Sequence, residues 1–535
     1  MNSSPESTRI ETLGEAANVL YDGAENPVQE LLDLIQQQAA EAARLNAALA
    51  ARDATLQHAE AKIQALTLEL AHLRRIRFGA KSEALSAEQR DLFQETLDAD
   101  IAACEAEAEQ AAPAASAPNP KRPRAGRQPL PAHLPRIEHR HEPESCTCGQ
   151  CGHDLVKIGE DVSEQLDVEP ARFFVHRHIR PQYACRACET ISAAPVPAAI
   201  IDGSLAAPGL LAWVATAKYA DHLPLYRIEQ IAARQDVPLP RSTQAQWLGR
   251  VGVALTPLAG RMAEMLKQSP VLHADETPVA QLDPGAGKTK RAYLWAYRSN
   301  SLAAGPPIVV FDYQASRSGS HASTFLEGWR GHLMVDDYAG YKALFNSGIT
   351  ELACLAHARR KFFDLHEANQ SPIAQEALMR IGKLYAIEQA GRDLDIPQRQ
   401  ALRQSEARPV LDALFTWLLA TRKTVADGSG TAKAIDYSLK RWAAFVRYAD
   451  SGDLPIDNNP VENAIRPIAI GKKNWLFAGS ERAGKRTAAI QSLIGTARLN
   501  GLDPAAWLRD TLAKLPAWPN SRIDELLPLR GKHKP

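Results

Sequence analysis

The chain has 535 residues, which is more than one hydrophobic core accommodates and predicts about three or four domains. Its 62 basic and 62 acidic residues balance, so the net charge indicates neither a nucleic acid nor an acidic membrane as partner. No basic N-terminal segment leads into an apolar stretch, and no apolar run approaches the roughly 20 residues that cross a bilayer. We therefore expect a cytoplasmic protein with no membrane partner.

Residues 1–28 lack apolar periodicity and are predicted to be disordered, whereas residues 29–100 carry a heptad pattern. From Leu31 to Leu73 the apolar positions recur at alternating steps of three and four, with two polar interruptions. This pattern favours a coiled coil and hence a homo-oligomer, a dimer or larger. The alternative is a long amphipathic helix that packs on its own chain.

Residues 101–136 are rich in alanine and proline and contain the basic stretch PKRPRAGRQPLP. Low apolar content and repeated prolines predict a linker. Arginines around a glycine are typical of short arms that lie in an A·T-rich minor groove, and a solvated basic tether fits the same residues.

Two Cys-x-x-Cys pairs in residues 137–200 predict a zinc-binding domain. The predicted ligands are Cys148, Cys151, Cys185 and Cys188. Four thiolates from two tight turns satisfy the tetrahedral coordination of a structural Zn²⁺ and leave no position open for catalysis. Cys146 competes as a ligand at the first turn.

Residues 201–262 are predicted to be helical, with a break at the sequence DVPLP before a second helix that Ser242 caps. A helix–break–helix arrangement can insert its second helix into the major groove of DNA. An ordinary helical hairpin is the alternative. The expected DNA contacts on the exposed face of the second helix are Arg241, Gln244 and Arg250.

The middle of the chain changes to β-branched and aromatic runs bounded by Gly, Pro and Ser. These runs predict three consecutive strands, a helix, a fourth strand, and a fifth strand that leads into a helix, which is the order of a ribonuclease H-like (RNase H-like) mixed sheet. We assign residues 263–357 and 456–500 to this predicted catalytic domain and residues 358–455 to a helical insertion. Residues 501–535 are expected to form a helical tail.

Three acidic residues occupy apolar settings in the predicted catalytic domain. Asp275 follows the run VLHA in the first strand, Asp336 follows HLMV in the fourth, and Glu462 begins a helix far downstream. Because an unpaired buried charge is costly, clustered carboxylates favour divalent cations, and hard oxygen donors suit Mg²⁺ or Mn²⁺. Adjacent first and fourth strands would place all three around two metal ions, as in phosphodiester displacement. Taken singly, each acid is better explained by a salt bridge, or Glu462 by a capping box that starts at Asn459.

A basic tract follows Glu462 and suits a phosphate backbone. Its cations are Arg466, Lys472, Lys473, Arg482, Lys485 and Arg486. Trp475 lies among them as a candidate either for base stacking or for the core. Further upstream, Cys354 and His357 are interpreted as packing or DNA-positioning residues, because two ligands alone rarely define a metal site. The cations that follow them, and that we expect to contact phosphates, are Arg359, Arg360 and Lys361.

Seven features together resemble the large transposase of the insertion sequence 66 family: RIRFGAKSE, the double Cys-x-x-Cys, HADETP, VDDYAGY, CLAHARRKFFDL, DNNPVENAIRPIAIGKKNWLFAGSERAGKR and LNGLDPAAWL. The resemblance covers nearly the whole chain. It implies a DDE-type DNA transposase with an RNase H-like catalytic domain, whose triad by motif position is Asp275, Asp336 and Glu462. Where the family reads Asp-Gly-Tyr, this chain has Asp336-Asp337-Tyr338, so Asp337 is the alternative second ligand.

The resemblance also implies cleavage at the terminal inverted repeats of the element and strand transfer into target DNA, with two metal ions in each active site. Small companion proteins of the same element are further implied partners, and the expected location is the nucleoid. Two other functions fit the residues themselves. One is a catalytically silent, zinc-containing DNA-binding protein, and the other is an RNase H-like nuclease that cleaves structured DNA without joining it.

Overall fold

The computed structural model describes residues 27–79, 87–111, 130–142, 147, 151, 153–169, 172–283, 286 and 288–529. These residues form two compact units, one of residues 27–71 and 107–111 and one of the remaining described residues. Residues 1–26, predicted to be disordered, and residues 112–129 of the predicted linker lie outside the described residues.

A long helix, α1 (Pro27–Gly79), is present where the heptad pattern predicts one. The apolar heptad positions between Leu31 and Leu73 form the predicted seam of the coiled coil. Several seam residues are exposed in the single chain, with Ile35 at 55%, Leu45 at 59% and Leu49 at 58%, whereas Leu66 is buried. A second helix, α2 (Ala87–Ala111), extends into the predicted linker, so the linker prediction is wrong for residues 101–111, where Ala103 and Cys104 are fully buried.

The zinc-binding region is built on a small mixed sheet. Its strands are β1 (Arg136–Arg140), β2 (Leu155–Glu169), β3 (Arg172–Cys185) and β4 (Ile191–Ala193). β3 lies in the middle, parallel to β1 and antiparallel to β2, and β4 also pairs with β3. Alternate residues of a strand face the same side, so the two His-Arg-His sequences of this region place their four histidines on one face.

Three helices follow the small sheet: α3 (Pro208–Tyr219), α4 (Leu225–Ala233) and α5 (Arg241–Leu266). The predicted helix–break–helix is therefore present, but the predicted Ser242 cap is wrong. α5 begins at Arg241, after Pro240, and no side chain caps it. α5 carries buried residues at steps of three and four along its length, including Leu248, Val251, Leu255, Leu258 and Met262, so it is an interior helix.

A five-stranded mixed sheet occupies the centre of the larger unit. Its strands are β5 (Val271–Asp283), β6 (Lys288–Ser299), β7 (Val309–Gln314), β8 (His332–Val335) and β9 (Thr350–Ala353). Their order in the sheet is β7-β6-β5-β8-β9, with antiparallel pairing from β7 to β5 and parallel pairing from β5 to β9. Helix α6 (Gly319–Phe325) joins β7 to β8, and the short helix α7 (Lys342–Phe345) precedes β9.

After β9 the chain is helical. The helices are α8 (Leu355–Asn369), α9 (Pro372–Ala390), α10 (Ile396–Leu402), α11 (Arg408–Arg422), α12 (Gly430–Lys440), α13 (Trp442–Val446), α14 (Asn459–Trp475), α15 (Glu481–Leu499) and α16 (Pro504–Lys514). α8, α9, α11, α12 and α13 share one apolar core, which reaches the sheet at Met334 and Leu352. None of the described helices is long and apolar enough to cross a membrane.

Helices α14 and α15 cover the side of the sheet where β6 and β7 lie. Val461, Ile465 and Ile468 of α14 recur at steps of four and three and pack against the core of β5, β6 and β7. β7 is an edge strand, and its outward backbone N–H groups are satisfied by α15: Phe311 donates to Ser492 Oγ at 2.8 Å and Val309 to Thr496 Oγ1 at 3.1 Å. The mixed α/β class predicted from the sequence is confirmed.

Candidate active site and metal centres

Two carboxylates lie at matched positions on adjacent parallel strands. His273 of β5 is paired with Met334 of β8, and Asp275 and Asp336 each come two residues later. Because the two strands run in the same direction, both carboxylates lie beyond the same end of the ladder. The first and fourth strands of the sheet are therefore neighbours, as the sequence predicts.

The environment of Asp275 is strongly unfavourable to a lone negative charge. Burial, followed by repulsion from Glu276, Asp336 and Glu462, raises the pKa of Asp275 to about 8. Perturbation of this size by burial and neighbouring acids is typical of functional carboxylates. Carboxylate oxygens are the type of donor that a hard divalent cation such as Mg²⁺ takes, and the charge of a cation would offset their mutual repulsion.

Asn458 positions the helix that carries Glu462. Its side-chain amide donates to the carbonyl of Ala274 at 2.9 Å, and its Oδ1 lies 3.0 Å from His273 Nδ1. Its backbone N–H donates to the Cys354 sulfur at 3.1 Å. All of these partners are buried, so α14 is anchored beside the residue that precedes Asp275.

The predicted capping box at Asn459 is wrong. Asn459 is the first residue of α14 and Asn458 is the flanking residue, and neither side chain caps the helix. Asn459 instead donates through its side chain to Asp457 at 2.8 Å. Glu462 lies in the first turn, with its side chain 37% exposed and Oε1 3.7 Å from His357 Nδ1. Glu462 therefore does not serve as the glutamate of a capping box.

The sequence prediction missed Glu276 and Arg317. The Glu276 side chain is 1% exposed, and it accepts hydrogen bonds from Arg317 Nε at 2.8 Å and Tyr341 at 2.7 Å. The Arg317 guanidinium stacks 3.9 Å from the centre of the Tyr338 ring, and Arg317 lines an open cavity together with Asp336. An arginine is thereby held beside the carboxylates. The only signal in the sequence was an acid next to Asp275.

Asp336 and Asp337 face different partners. Asp336 Oδ1 accepts a hydrogen bond from the Tyr338 backbone N–H at 2.9 Å. The negative charge of Asp336 repels that of Asp275 and helps to raise its pKa. Asp337 is exposed and lies 3.9 Å from Arg441 Nε. Of the two acids, it is Asp336 whose charge contributes to the raised pKa of Asp275.

The structure also brings Cys354 and His357 to Glu462. One donor atom from each of the three residues lies within 4.8 Å of the other two. Cys354 is completely buried, and burial raises the pKa of its thiol to about 12. His357 lines both the cavity that contains Glu462 and the cavity that contains Asp336. Cys354 and His357 were predicted to be packing or DNA-positioning residues, and their approach to a third ligand was not foreseen.

Three of the four predicted zinc ligands lie together. Cys151 Sγ is 3.3 Å from Cys185 Sγ and 3.5 Å from Cys188 Sγ. Thiolates at about 2.3 Å from a tetrahedral zinc ion are about 3.8 Å apart, so these sulfurs fit Zn²⁺ with little movement. Cys148 and the competing Cys146 lie outside the described residues.

Most of the predicted DNA contacts are at least partly accessible. The exposed cations are Arg359, Arg360, Lys361, Arg466, Lys473 and Lys485, while Arg241, Arg250, Lys472 and Arg482 are half-buried. Lys485 pairs with Glu481 at 2.8 Å, and Lys472 donates to the Pro278 carbonyl at 2.9 Å. Trp475 is half-buried against the core of β5, β6 and β7.

Two predicted DNA contacts are buried. Gln244 is fully buried and donates to the Leu239 carbonyl at 2.8 Å, because α5 is surrounded by the core at that turn. Arg486 is 7% exposed and forms an ion pair with the buried Asp100 of α2 at 2.7 Å. The prediction that these two side chains face DNA is wrong for this structure.

Comparison with known proteins places the chain among DNA transposases. A family model described as "Transposase IS66 family" matches residues 203–486, which is more than half of the chain. Three further models match: the zinc-finger binding domain of transposase IS66 at 145–189, "Transposase C of IS166 homeodomain" at 65–138, and the IS66 C-terminal element at 492–529. The chain belongs to the IS66 transposase family, as the motifs indicated.

Relatives of similar length occur in Sinorhizobium fredii. The uncharacterized protein y4qI is 38% identical, and the match covers 94% of this chain and 96% of y4qI. The uncharacterized protein y4jD is also 38% identical over 87% of this chain and 94% of its own length. The similarity to these relatives therefore covers most of the chain rather than a single domain.

Proposed function

We propose that this transposase uses DDE chemistry, with Asp275, Asp336 and Glu462 as its catalytic carboxylates. The observation that carries the proposal is the matched placement of Asp275 and Asp336 on parallel neighbours, with Glu462 in electrostatic range. The strand order and directions of the central sheet support an RNase H-like domain, and α8 to α13 would be its helical insertion.

The proposed reaction has two phosphodiester displacements. Water attacks at the transposon end and frees a 3′-hydroxyl, and this hydroxyl then attacks a phosphodiester of target DNA. Two Mg²⁺ or Mn²⁺ ions held by the three carboxylates would activate the attacking oxygen and neutralise the leaving one. The role of the chain itself is to hold the carboxylates at one end of the sheet and to keep Glu462 there through Asn458.

Positively charged side chains around the carboxylates would hold the DNA. Arg359 and Arg360 of α8 line the cavity that contains Glu462, and Lys361 lines the cavity that contains Asp336. Arg466 and Lys473 lie exposed on α14. Contacts of this kind fix the position of a backbone and make binding depend on salt concentration.

The other domains would recognise and pair the ends. Cys148 would complete a structural zinc site with Cys151, Cys185 and Cys188, and the half-buried Arg241 and Arg250 remain candidates for DNA contacts. The exposed seam of α1 would join copies of the chain into a dimer or larger oligomer. The proposed partners are the terminal inverted repeats, target DNA and small companion proteins of the element, in the nucleoid of the cytoplasm.

The test is a strand-transfer assay with end-containing DNA and Mg²⁺ or Mn²⁺. Asp275→Asn, Asp336→Asn and Glu462→Gln are expected to abolish both cleavage and joining while DNA binding persists. Asp337→Asn is the matched control and is expected to retain activity. Full activity of the Glu462 variant would refute the triad, and loss in the Asp337 variant alone would move the second ligand. Cleavage without joined products would instead identify a nuclease.

A further inference from the structure

We propose that Cys354, His357 and Glu462 form a binding site for one soft divalent cation, Zn²⁺ or its analogue Cd²⁺. The site is distinct from the cysteine cluster of the zinc-finger region, and it shares only Glu462 with the proposed catalytic carboxylates. Its three donor atoms lie within 4.8 Å of one another.

Rigid elements build this site. Cys354 is the single residue between β9 and α8. His357 lies in the first turn of α8, and Glu462 lies in the first turn of α14. Asn458 ties the start of α14 to the Cys354 sulfur and to β5. The three ligands therefore approach one another through packed backbone, and binding needs little rearrangement.

Two polar atoms of the site have no hydrogen-bond partner among the residues that the structure describes. His357 Nδ1 and Glu462 Oε1 are both shielded from solvent, and their only contact of this kind is with each other, at the ion-pair distance of 3.7 Å. A buried polar atom left unsatisfied costs free energy, and a cation between the two would satisfy both. Nitrogen and oxygen ligands at about 2.0–2.2 Å from a tetrahedral Zn²⁺ are roughly 3.3–3.6 Å apart, so the two atoms, now 3.7 Å apart, would need to approach only slightly.

The type of donor selects the ion. A thiolate and an imidazole favour Zn²⁺ or Cd²⁺ over Mg²⁺, which takes oxygen ligands. Binding releases the proton of the Cys354 thiol to solvent, since the thiolate is the ligand. Three protein ligands would leave one position for a fourth ligand, and two of the three, His357 and Glu462, line a cavity together with Asn459, Arg359 and Arg360.

A soft ion at this site would hold the Glu462 carboxylate toward Cys354. If the proposed function is correct, Zn²⁺ would therefore compete with the hard cations for Glu462 and inhibit strand transfer. This consequence rests on the proposed function, whereas binding of the ion does not.

The deciding experiment is titration of the full-length, metal-free protein with Cd²⁺, followed by the ultraviolet absorption of cadmium thiolates. The wild type is expected to bind one more equivalent than Cys354→Ala. Cys104→Ala, which removes another fully buried cysteine, is the matched control and should equal the wild type. Equal stoichiometry in the wild type and Cys354→Ala would overturn the proposal.

His357→Ala provides a second test that leaves the buried core intact, because its side chain is 34% exposed. It should weaken binding of the additional Cd²⁺ at least tenfold without changing binding at the zinc-finger cysteines. Unchanged affinity would also overturn the site. In the strand-transfer assay, added Zn²⁺ should inhibit the wild type more than Cys354→Ala. A protein without strand-transfer activity that still binds the extra Cd²⁺ would refute the DDE proposal and leave this one standing.

Discussion

Asn458 is the residue on which the candidate active site depends most for its shape. It joins α14 to β5 through Ala274 and His273, all of them buried. Asn458→Ala would leave two buried polar groups without partners, at a cost of about 1–3 kcal/mol each. We expect the free energy of unfolding to fall by about 2–4 kcal/mol and strand-transfer activity to fall with it, as measured by urea denaturation and product yield.

The control for this prediction is Asn463→Ala. Asn463 is exposed on the same helix, so its substitution should change stability by less than about 0.5 kcal/mol. Similar losses in both variants would show that α14 tolerates no change, rather than that Asn458 anchors it.

The residues of the candidate site differ in how visible they are in the sequence. Asp275 and Asp336 can be identified from the sequence, because burying a charged side chain next to an apolar run is costly unless a partner or a metal ion compensates for it. Asn458 and Arg317 cannot be identified in this way, because each acts through a residue far along the chain: Asn458 bonds a carbonyl 184 positions away, and Arg317 a carboxylate 41 positions away. Gln244 was misplaced because periodicity identifies a helix but not which neighbours surround each turn.

The small sheet of the zinc-finger region carries a cluster of histidines. His139 lies on β1 and His141 directly after it, and His176 and His178 lie on β3. The His139–His176 and His141–His178 nitrogens are 2.7 and 3.0 Å apart. The nearest acid is Asp167 of β2, 2.9 Å from His176. Burial, followed by repulsion from the other three histidines, lowers the pKa of His178 to about 4.

This shift predicts loss of stability in mild acid. Above pH ~6.5 the His178 imidazole is neutral in both the folded and the unfolded chain, and the free energy of unfolding is highest. Between pH ~6.5 and pH ~4 only the unfolded chain takes up the proton, so the free energy of unfolding falls. The loss should be about 1–2 kcal/mol after allowance for solvent screening. Urea unfolding at several pH values, followed by circular dichroism, measures it.

His178→Asn should flatten this pH dependence, and His133→Asn, at an exposed position, should not. Protonation of the cysteine ligands in acid also lowers stability, and it does so equally in both variants. The effect of His178 is therefore measured by the difference between the pH profiles of His178→Asn and His133→Asn. Identical pH profiles for His178→Asn and the wild type would contradict the prediction.

At the scale of elements, the central sheet was more predictable than the zinc-finger sheet. The strands of the central sheet are apolar runs with clear boundaries, and neighbours in sequence mostly pair in space. In the small sheet, β1 pairs in parallel with β3 rather than with β2. Short, polar strands such as RIEHR give no periodic signal that selects a partner.

At the scale of the whole molecule, the exposed seam of α1 predicts self-association. Leu45 and Leu49 are 59% and 58% exposed, and they occupy heptad positions whose burial stabilises a coiled coil. Leu45→Lys with Leu49→Lys would place two charges in the seam, where an unpaired buried charge is costly. We expect the double variant to sediment as a monomer at concentrations where the wild type is a dimer or larger.

Leu68→Lys is the matched control, because Leu68 is 73% exposed but lies outside the heptad frame. It adds a charge to the same helix without entering the seam, so the oligomer should persist. Sedimentation equilibrium distinguishes the outcomes, and equal masses for the double variant and the wild type would exclude the seam as the interface. Strand transfer adds a functional readout. In the proposed oligomer each copy would hold one transposon end, so the double variant should lose joining of paired ends while its divalent-metal sites remain intact.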